Sequence, residues 1–258
     1  MMRFMNTTHE LIDKLLSLVK TLRNAHKGDP WIIAQNFKSL APLTIEEAYE
    51  FADSVDNKDF TAMADELGDL ILHVFLYAEL SSEQNQFDIN TIIQNTLDKQ
   101  QRRKLNYNNP SDISAEAALK LWEQKKAAEK QTDSVLDHIT KKLPALLRAE
   151  KLQSQAASVG FDWPDAAPIY EKIAEEISEF KAAVTSKDTQ HMEDELGDIL
   201  FSVVNLARHY KINPESALRH ANQKFEKRFR KLENKIENNF ENYSLEQLDQ
   251  LWNTIKKL

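Results

Sequence analysis

The sequence predicts an all-α protein built from two tandem, homologous helical-bundle modules. Three observations carry that expectation. The chain has only 4 glycines and 7 prolines in 258 residues, too few for a turn-dense β-sandwich or a glycine-rich phosphate loop. Charged residues make up 29% and hydrophobic residues 41% of it, a mixture that suits long amphipathic helices around a core. The same acidic pattern also occurs twice, 129 positions apart. Glu46-Glu47-Ala48-Tyr49-Glu50 returns as Glu175-Glu176-Ile177-Ser178-Glu179, and Asp65-Glu66-Leu67-Gly68-Asp69 returns as Asp194-Glu195-Leu196-Gly197-Asp198.

In both halves 16 positions separate the last Glu of the first motif from the Glu of the second. Upstream, Gly28-Asp29-Pro30-Trp31 matches Gly160-Phe161-Asp162-Trp163. Downstream, Leu121-Trp122 matches Leu251-Trp252, each followed by paired lysines. Matches in one order define two modules, residues 1–132 and 133–258, joined near Gln131-Thr132-Asp133-Ser134.

Within the first module Leu67, Leu70, Ile71 and Val74 repeat at helical spacing, the apolar stripe of a packed helix. In the second, Ile173, Ile177 and Phe180 do so, as do Leu196, Leu200 and Val203. Pro42, Pro144, Pro164, Pro168 and Pro214 mark expected helix starts, since proline is tolerated in a first turn. Asn57-Lys58-Asp59 and Ser186-Lys187-Asp188 are short polar breaks. Each module is therefore expected to hold an antiparallel helical hairpin with one acidic motif on each arm. Asn90 to Arg103 and Pro214 to Asn238 supply a further helix per module.

The formal net charge is −8, which argues against a nucleic-acid polymer as partner, because that binding neutralises phosphates with basic residues. There is no cysteine, so disulfides, thiolate nucleophiles and Cys-ligated zinc are excluded. The longest apolar stretches, such as Leu70–Leu80, are too short for a bilayer and contain His73 and Glu79. Glu10, Asp13 and Lys14 interrupt any signal-peptide core, so no membrane association and a cytoplasmic location are expected.

Residues three apart share a helix face. Glu176 and Glu179 therefore point together, as do Glu195 and Asp198 on the returning arm, and the neighbouring apolar residues put all four at or within the hairpin seam. Desolvation and mutual repulsion would oppose their ionisation. A hard divalent cation removes that penalty, and all-oxygen ligation points to Mg²⁺, with Mn²⁺ as a substitute. Glu47, Glu50, Glu66 and Asp69 form the equivalent set in the first module. A single Glu-Glu-x-x-Glu is what any solvated helix face shows; its duplication in register, with a glycine inside each Glu-Leu-Gly-Asp, is not. A mid-helix glycine costs ~1 kcal/mol against alanine, so Gly68 and Gly197 suggest close approach of another helix or a ligand.

A basic set complements the acids. Lys224 and Arg228 are i, i+4 on one face, with Asn222 nearby, and Lys99 and Arg103 hold similar places in the first module. Polyphosphate oxygens need such cations beyond the metal, although an ordinary charged helix face reads the same. Trp252 and Trp122 are either core residues or base-stacking platforms. His73 follows Asp69 by four, but the second module has Ser202 there, so a histidine ligand is not expected.

Glu-Glu-x-x-Glu followed by Glu-x-x-Asp, carried twice by an all-helical chain, resembles the MazG family of nucleoside triphosphate pyrophosphohydrolases. Val159-Gly160-Phe161-Asp162-Trp163, Asn205-Leu206-Ala207-Arg208-His209 and Lys224-Phe225-Glu226-Lys227-Arg228-Phe229 add to the likeness, which covers nearly the whole chain. It implies tandem MazG-like modules, a homodimer with helices packing between subunits, and Mg²⁺-dependent hydrolysis of nucleoside triphosphates to the monophosphate and pyrophosphate. By that resemblance Glu176, Glu179, Glu195 and Asp198 are the metal ligands, and Lys172, Lys224, Arg228 and Trp252 contact the nucleotide. His191 stands where the family more often has lysine.

The first module departs from the family pattern. Asp29-Pro30-Trp31-Ile32 replaces the usual Cys-Pro-Trp-Asp, with Ile33 and Asn36 following where charged and hydroxyl residues are common. Lys104-Leu105-Asn106-Tyr107-Asn108 replaces a His-Pro-His-Val-Phe stretch. The second module is therefore the expected catalytic one. Its metal would bridge phosphate oxygens and activate a water, with either Glu175, left over once four ligands are assigned, or any one of the ligand carboxylates as the base. Two other functional classes compete. A di-metal oxidase bundle needs Glu-x-x-His pairs, and none occurs. A non-catalytic nucleotide sensor or scaffold would bind nucleotide without forming product.

Overall fold

The structure is a computed structural model describing residues 7–104, 113–129, 133–137 and 139–256, apart from the side chains at 120, 123 and 126–128. The first module's stretch at 105–108 and the junction at 131–132 lie outside the described residues. The chain divides into two compact units, Met1–Lys130 and Gln131–Leu258. All regular structure among the described residues is helical. The first unit carries α1 (Thr8–Leu22), α2 (Pro30–Ala34), α3 (Phe37–Asn57), α4 (Phe60–Glu83), α5 (Ile89–Arg103) and α6 (Ala115–Ala128). The second carries α7 (Ala145–Ser158), α8 (Ala167–Ser186), α9 (Thr189–His209), α10 (Pro214–Lys235), a 3₁₀ turn at Phe240–Asn242, and α11 (Leu245–Ile255). No helix among the described residues is long and apolar enough to cross a membrane.

Local chemistry places most helix ends. Thr7 and Glu10 form a capping box on α1, and Ser244 and Gln247 one on α11, each satisfying two orphan N–H groups. Asp29 caps α2 with Pro30 as its first residue, and Asn213 caps α10 ahead of Pro214. The two hairpins, α3–α4 and α8–α9, turn in the same way. Asp59 N–H bonds to Ser54 O at 3.0 Å and Lys58 N–H to Val55 O at 3.1 Å; Asp188 N–H bonds to Ala183 O and Lys187 N–H to Val184 O at 3.3 and 3.2 Å. These are paired Schellman bonds around a left-handed residue, Lys58 at φ 56° and Lys187 at φ 56°. The carboxylates of Asp59 and Asp188 then cap the returning helices. A two-residue link that ends one helix and starts the next forces antiparallel arms, which sets the acidic motifs opposite one another.

Two proline expectations need correction. Pro42 lies inside α3 rather than at its start. Asn36 accepts from Lys38 N and Ser39 N, and Ser39 returns a bond to Asn36 N, so a strong cap starts the helix earlier and leaves Pro42 in its second turn. Pro164 sits in the loop before α8, where Pro168 occupies the first turn. Pro144 and Pro214 mark starts as expected.

The apolar stripes also differ from expectation. The first core gathers Val19, Ile32, Leu40, Phe75, Leu76 and Leu80. It is closed at the surface by Arg23, which donates to Glu83 at 2.6 and 2.8 Å and to Ile32 O at 2.8 Å. In the second unit Ile169, Ala183 and Val204 are buried within α7–α9, and Leu232, Ile236 and Ile255 within α10–α11. Leu67, Ile71 and Val74 are instead exposed on α4, as are Ile177 on α8 and Leu196, Leu200 and Val203 on α9. These helices carry two apolar faces, and the described residues of their own module cover only one. Gly68 and Gly197 lie on the uncovered side, with open space where a Cβ would stand, so no close approach within a module explains them.

A left-handed lysine costs roughly 1 kcal/mol or more that glycine avoids. Lys187→Gly should raise the urea midpoint by up to about 1 kcal/mol in stability, and Lys187→Val should lower it; equal midpoints for both variants would contradict the turn assignment.

Candidate active site

In the second module the antiparallel arms bring Glu176 and Glu179 of α8 to Glu195 of α9. One carboxylate oxygen from each lies within 4.8 Å of the others. Glu176 is 4% and Glu195 8% exposed, whereas Glu179 sits exposed at the edge of the seam. Asp198, one turn beyond Glu195, is exposed and stands outside that group of three. Lys172, one turn before Glu176, donates from Nζ to Glu176 Oε1 at 2.7 Å and to Glu175 Oε1 at 3.1 Å. Those two carboxylates hold its ammonium protonated far above the ordinary lysine range. Glu175 is thus the lysine's partner and does not join the three. His191 Nδ1 is 3.4 Å from Glu195 Oε1.

Glu195 is the strained member. Burial, then the charges of Glu179 and Glu176, push its carboxyl above the ordinary value of 4.5, against the opposing pull of His191. Its Oε2 is buried without a hydrogen-bond partner. A buried acceptor with neighbouring anions and no donor is costly unless a cation joins it. Three convergent oxygens, one orphaned, fit a hard divalent ion such as Mg²⁺ or Mn²⁺.

The first module repeats the acids without the cations. Glu47, Glu66 and Asp69 place one oxygen each within 4.8 Å of one another, and here Glu50 is the member left out. Burial and neighbouring carboxylates, Asp69 for Glu47 and Glu50 for Glu66, push both carboxyls up. The residue 129 positions before Lys172 is Leu43, which packs on the first core, and the one before His191 is Ala62. A cleft of about 620 Å³ beside these acids is lined by Glu46, Glu50, Asp53, Asp59 and Glu66 with no basic side chain. Arg103 is also engaged elsewhere. It bonds to Glu129 from Nε at 3.0 Å and Nη2 at 2.5 Å, and its guanidinium lies 5.3 Å over the Trp122 ring. His73 is buried with Nδ1 unpartnered, outside the acidic group.

Lys224 and Arg228 line a cavity of about 300 Å³ on α10 and α11 together with Lys227, Lys231 and Lys256. The sequence pattern singled out only the first two; the i, i+4 spacing of Lys227 and Lys231 was the available signal. Asn222 is exposed on α10. Trp252 is half-buried, packed on Phe225 at 5.3 Å, under Lys256 at 5.9 Å, and against the Leu232–Ile236–Ile255 core. It is a packing residue with one accessible side.

A MazG nucleotide pyrophosphohydrolase domain matches the chain twice, over residues 35–107 and 167–232. The chain belongs to the MazG family. Each match contains one acidic hairpin. The nucleoside triphosphate pyrophosphohydrolase of Escherichia coli K12 is 39% identical over 255 residues, covering 95% of this chain and 97% of that protein. The nucleoside triphosphate pyrophosphohydrolase/pyrophosphatase MazG of Thermotoga maritima is 39% identical over 251 residues, 95% of this chain and 96% of its own. The YabN protein of Bacillus subtilis is 40% identical over 248 residues, 93% of this MazG chain but 50% of YabN.

A carboxyl whose proton affinity is raised on folding stabilises the protein below its ordinary value of 4.5, and that contribution is lost as pH rises through the raised value. The melting temperature of wild type relative to Glu195→Gln should therefore fall in chelator as pH rises from about 4.5. Millimolar Mg²⁺ at pH 7 should restore it in wild type and do so far less in the variant. A flat difference in chelator, with no Mg²⁺ response, would refute the strained-site description.

Proposed function

We propose that the second module is a nucleoside triphosphate pyrophosphohydrolase site, converting a triphosphate and water to the monophosphate and pyrophosphate. The observation that carries this reading is the convergence of Glu176, Glu179 and Glu195, with a buried unpartnered oxygen, in a module that matches the family. Glu176, Glu179, Glu195 and Asp198 would hold a divalent cation, Mg²⁺ or Mn²⁺. When bound, that ion supplies charge neutralisation at the phosphate oxygens and acidifies water.

The chain's own residues do the rest. Lys172 neutralises Glu175 and Glu176 in the resting site and offers its ammonium to a phosphate oxygen. His191 sits beside Glu195, where a protonated imidazole would add a second cation. Glu175, outside the converging three, is the carboxylate left to accept the proton of the attacking water. Lys224 and Arg228 take the outer phosphates as point charge and fork, with Asn222 beside them and Trp252 offering its accessible side to the nucleotide. The first module keeps an acidic site at Glu47, Glu50, Glu66 and Asp69 but lacks Lys172 and His191 counterparts, and its Arg103 is tied to Glu129. These differences support catalysis in the second module.

The active form is a homodimer. The stripes at Leu67, Ile71 and Val74, and at Leu196, Leu200 and Val203, are exposed along whole helix faces. Contiguous apolar surface of this kind, with a glycine beside each stripe, suits helices from a second subunit. Free nucleotides in the cytoplasm, rather than a nucleic-acid polymer, are the partners that the acidic chain favours.

Glu179→Ala should lower Mg²⁺-dependent pyrophosphate release by roughly 100-fold or more; turnover within tenfold of wild type would remove the assignment, and binding without any product in wild type would favour a sensor. Leu200→Glu should shift the sedimentation coefficient from dimer to monomer, and an unaltered dimer would displace the interface from this face.

A further inference from the structure

The ammonium of Lys172 holds a carboxylate that a bound divalent ion would also claim. Lys172 lies one turn before Glu176 on α8 and donates from Nζ to Glu176 Oε1 at 2.7 Å and to Glu175 Oε1 at 3.1 Å. Glu176 is one of the three acids whose oxygens converge within 4.8 Å, and it is buried. Both carboxylates keep the ammonium charged. A charged donor at that distance offsets the desolvation that burial imposes on Glu176. Across the seam, Glu195 has an oxygen with no such donor.

The lysine is not needed to assemble the acids. The residue 129 positions before it is Leu43, and the first module still brings Glu47, Glu66 and Asp69 within the same 4.8 Å. Nor is the ammonium locked in place. The side chain of Lys172 is 37% exposed, against 5% for that of Glu176. The lysine can therefore turn to another anion while the carboxylate stays in the seam.

Two cations are thus set against each other. A divalent ion drawn to Glu176, Glu179 and Glu195 meets a positive charge already seated on Glu176, and like charges at such separations repel most where water is scarce. A phosphate oxygen resolves the conflict, because it takes the ammonium as its own partner and frees the Glu176 oxygen. We infer that Lys172 is a placeholder cation, which weakens the hold of the second module's acids on a bare divalent ion and gives up Glu176 to that ion when a triphosphate arrives. Metal and triphosphate then reinforce each other's binding, and the reinforcement is reciprocal. The inference rests on the pyrophosphohydrolase reading of this site.

The test uses the full chain with the first module's acids silenced by Glu66→Gln and Asp69→Asn, so that metal titration reports the second module. Mn²⁺ alone is titrated by calorimetry into this protein and into its Lys172→Leu and Lys172→Arg derivatives, the former copying Leu43. The kcat/KM for triphosphates is measured on all three at saturating Mg²⁺. Lys172→Leu should bind Mn²⁺ roughly tenfold or more tightly and yet lose roughly tenfold or more in kcat/KM. Those opposite movements are the signature of a placeholder; a lysine that only supported the hairpin would weaken both when removed. Lys172→Arg keeps the charge and should keep the weak Mn²⁺ affinity. Should Lys172→Leu melt well below its parent, Lys172→Gln is the neutral variant that decides. Mn²⁺ affinity unchanged or lowered in the folded neutral variant, or raised as much in Lys172→Arg, would overturn the inference, as would no Mn²⁺ uptake by any form. A protein that hydrolyses no triphosphate would defeat the proposed function, and the Mn²⁺ titrations would still decide the placeholder.

Discussion

Carboxylates converging in the seam of a helical hairpin, half-buried in the first module and buried in the second, are the constraint around which each module is arranged. Glu176 and Glu195 face each other across α8 and α9 with little access to water, and Glu195 has an oxygen that no donor reaches. Such a group opposes folding by itself, because desolvation and like charge act in the same direction. The hairpin nonetheless holds it in register, through a two-residue turn that leaves little freedom of rotation between the arms. Strain concentrated at one place in an otherwise well-capped helical unit is the pattern expected where a protein binds a cation.

The repeated architecture makes the two modules a controlled comparison. Both keep the turn, the capping aspartate and the converging acids. They differ in what surrounds them. The second has Lys172 and His191 beside the acids and an open basic cavity on α10–α11. The first has Leu43 and Ala62 at those positions, and its Arg103 is committed to Glu129. Duplication has thus preserved the costly acidic element while varying the cations that would meet a polyphosphate.

Uncovered apolar faces are the second feature shared by the hairpins. Within their own modules α4 packs on α1, α3 and α5, and α9 on α7, α8 and α10, yet each keeps a further apolar face exposed. Gly68 and Gly197 lie beside these exposed residues, and nothing among the described residues comes within 4 Å of a Cβ built on either.

The sequence by itself determined the helical class, the duplication, the two hairpins and their turns, because these follow from short-range facts: 3.6-residue periodicity, capping side chains and in-register acidic motifs. It also pointed to the seam where Glu176, Glu179 and Glu195 converge. What it did not decide was which apolar stripe turns inward, since periodicity shows that a helix has an apolar face but not how many neighbours cover it. Nor could it show that Glu50 and Asp198 stand apart from their groups, or that Arg103 is held by Glu129. Those depend on contacts between residues far apart in the chain, and only packing in three dimensions selects among them.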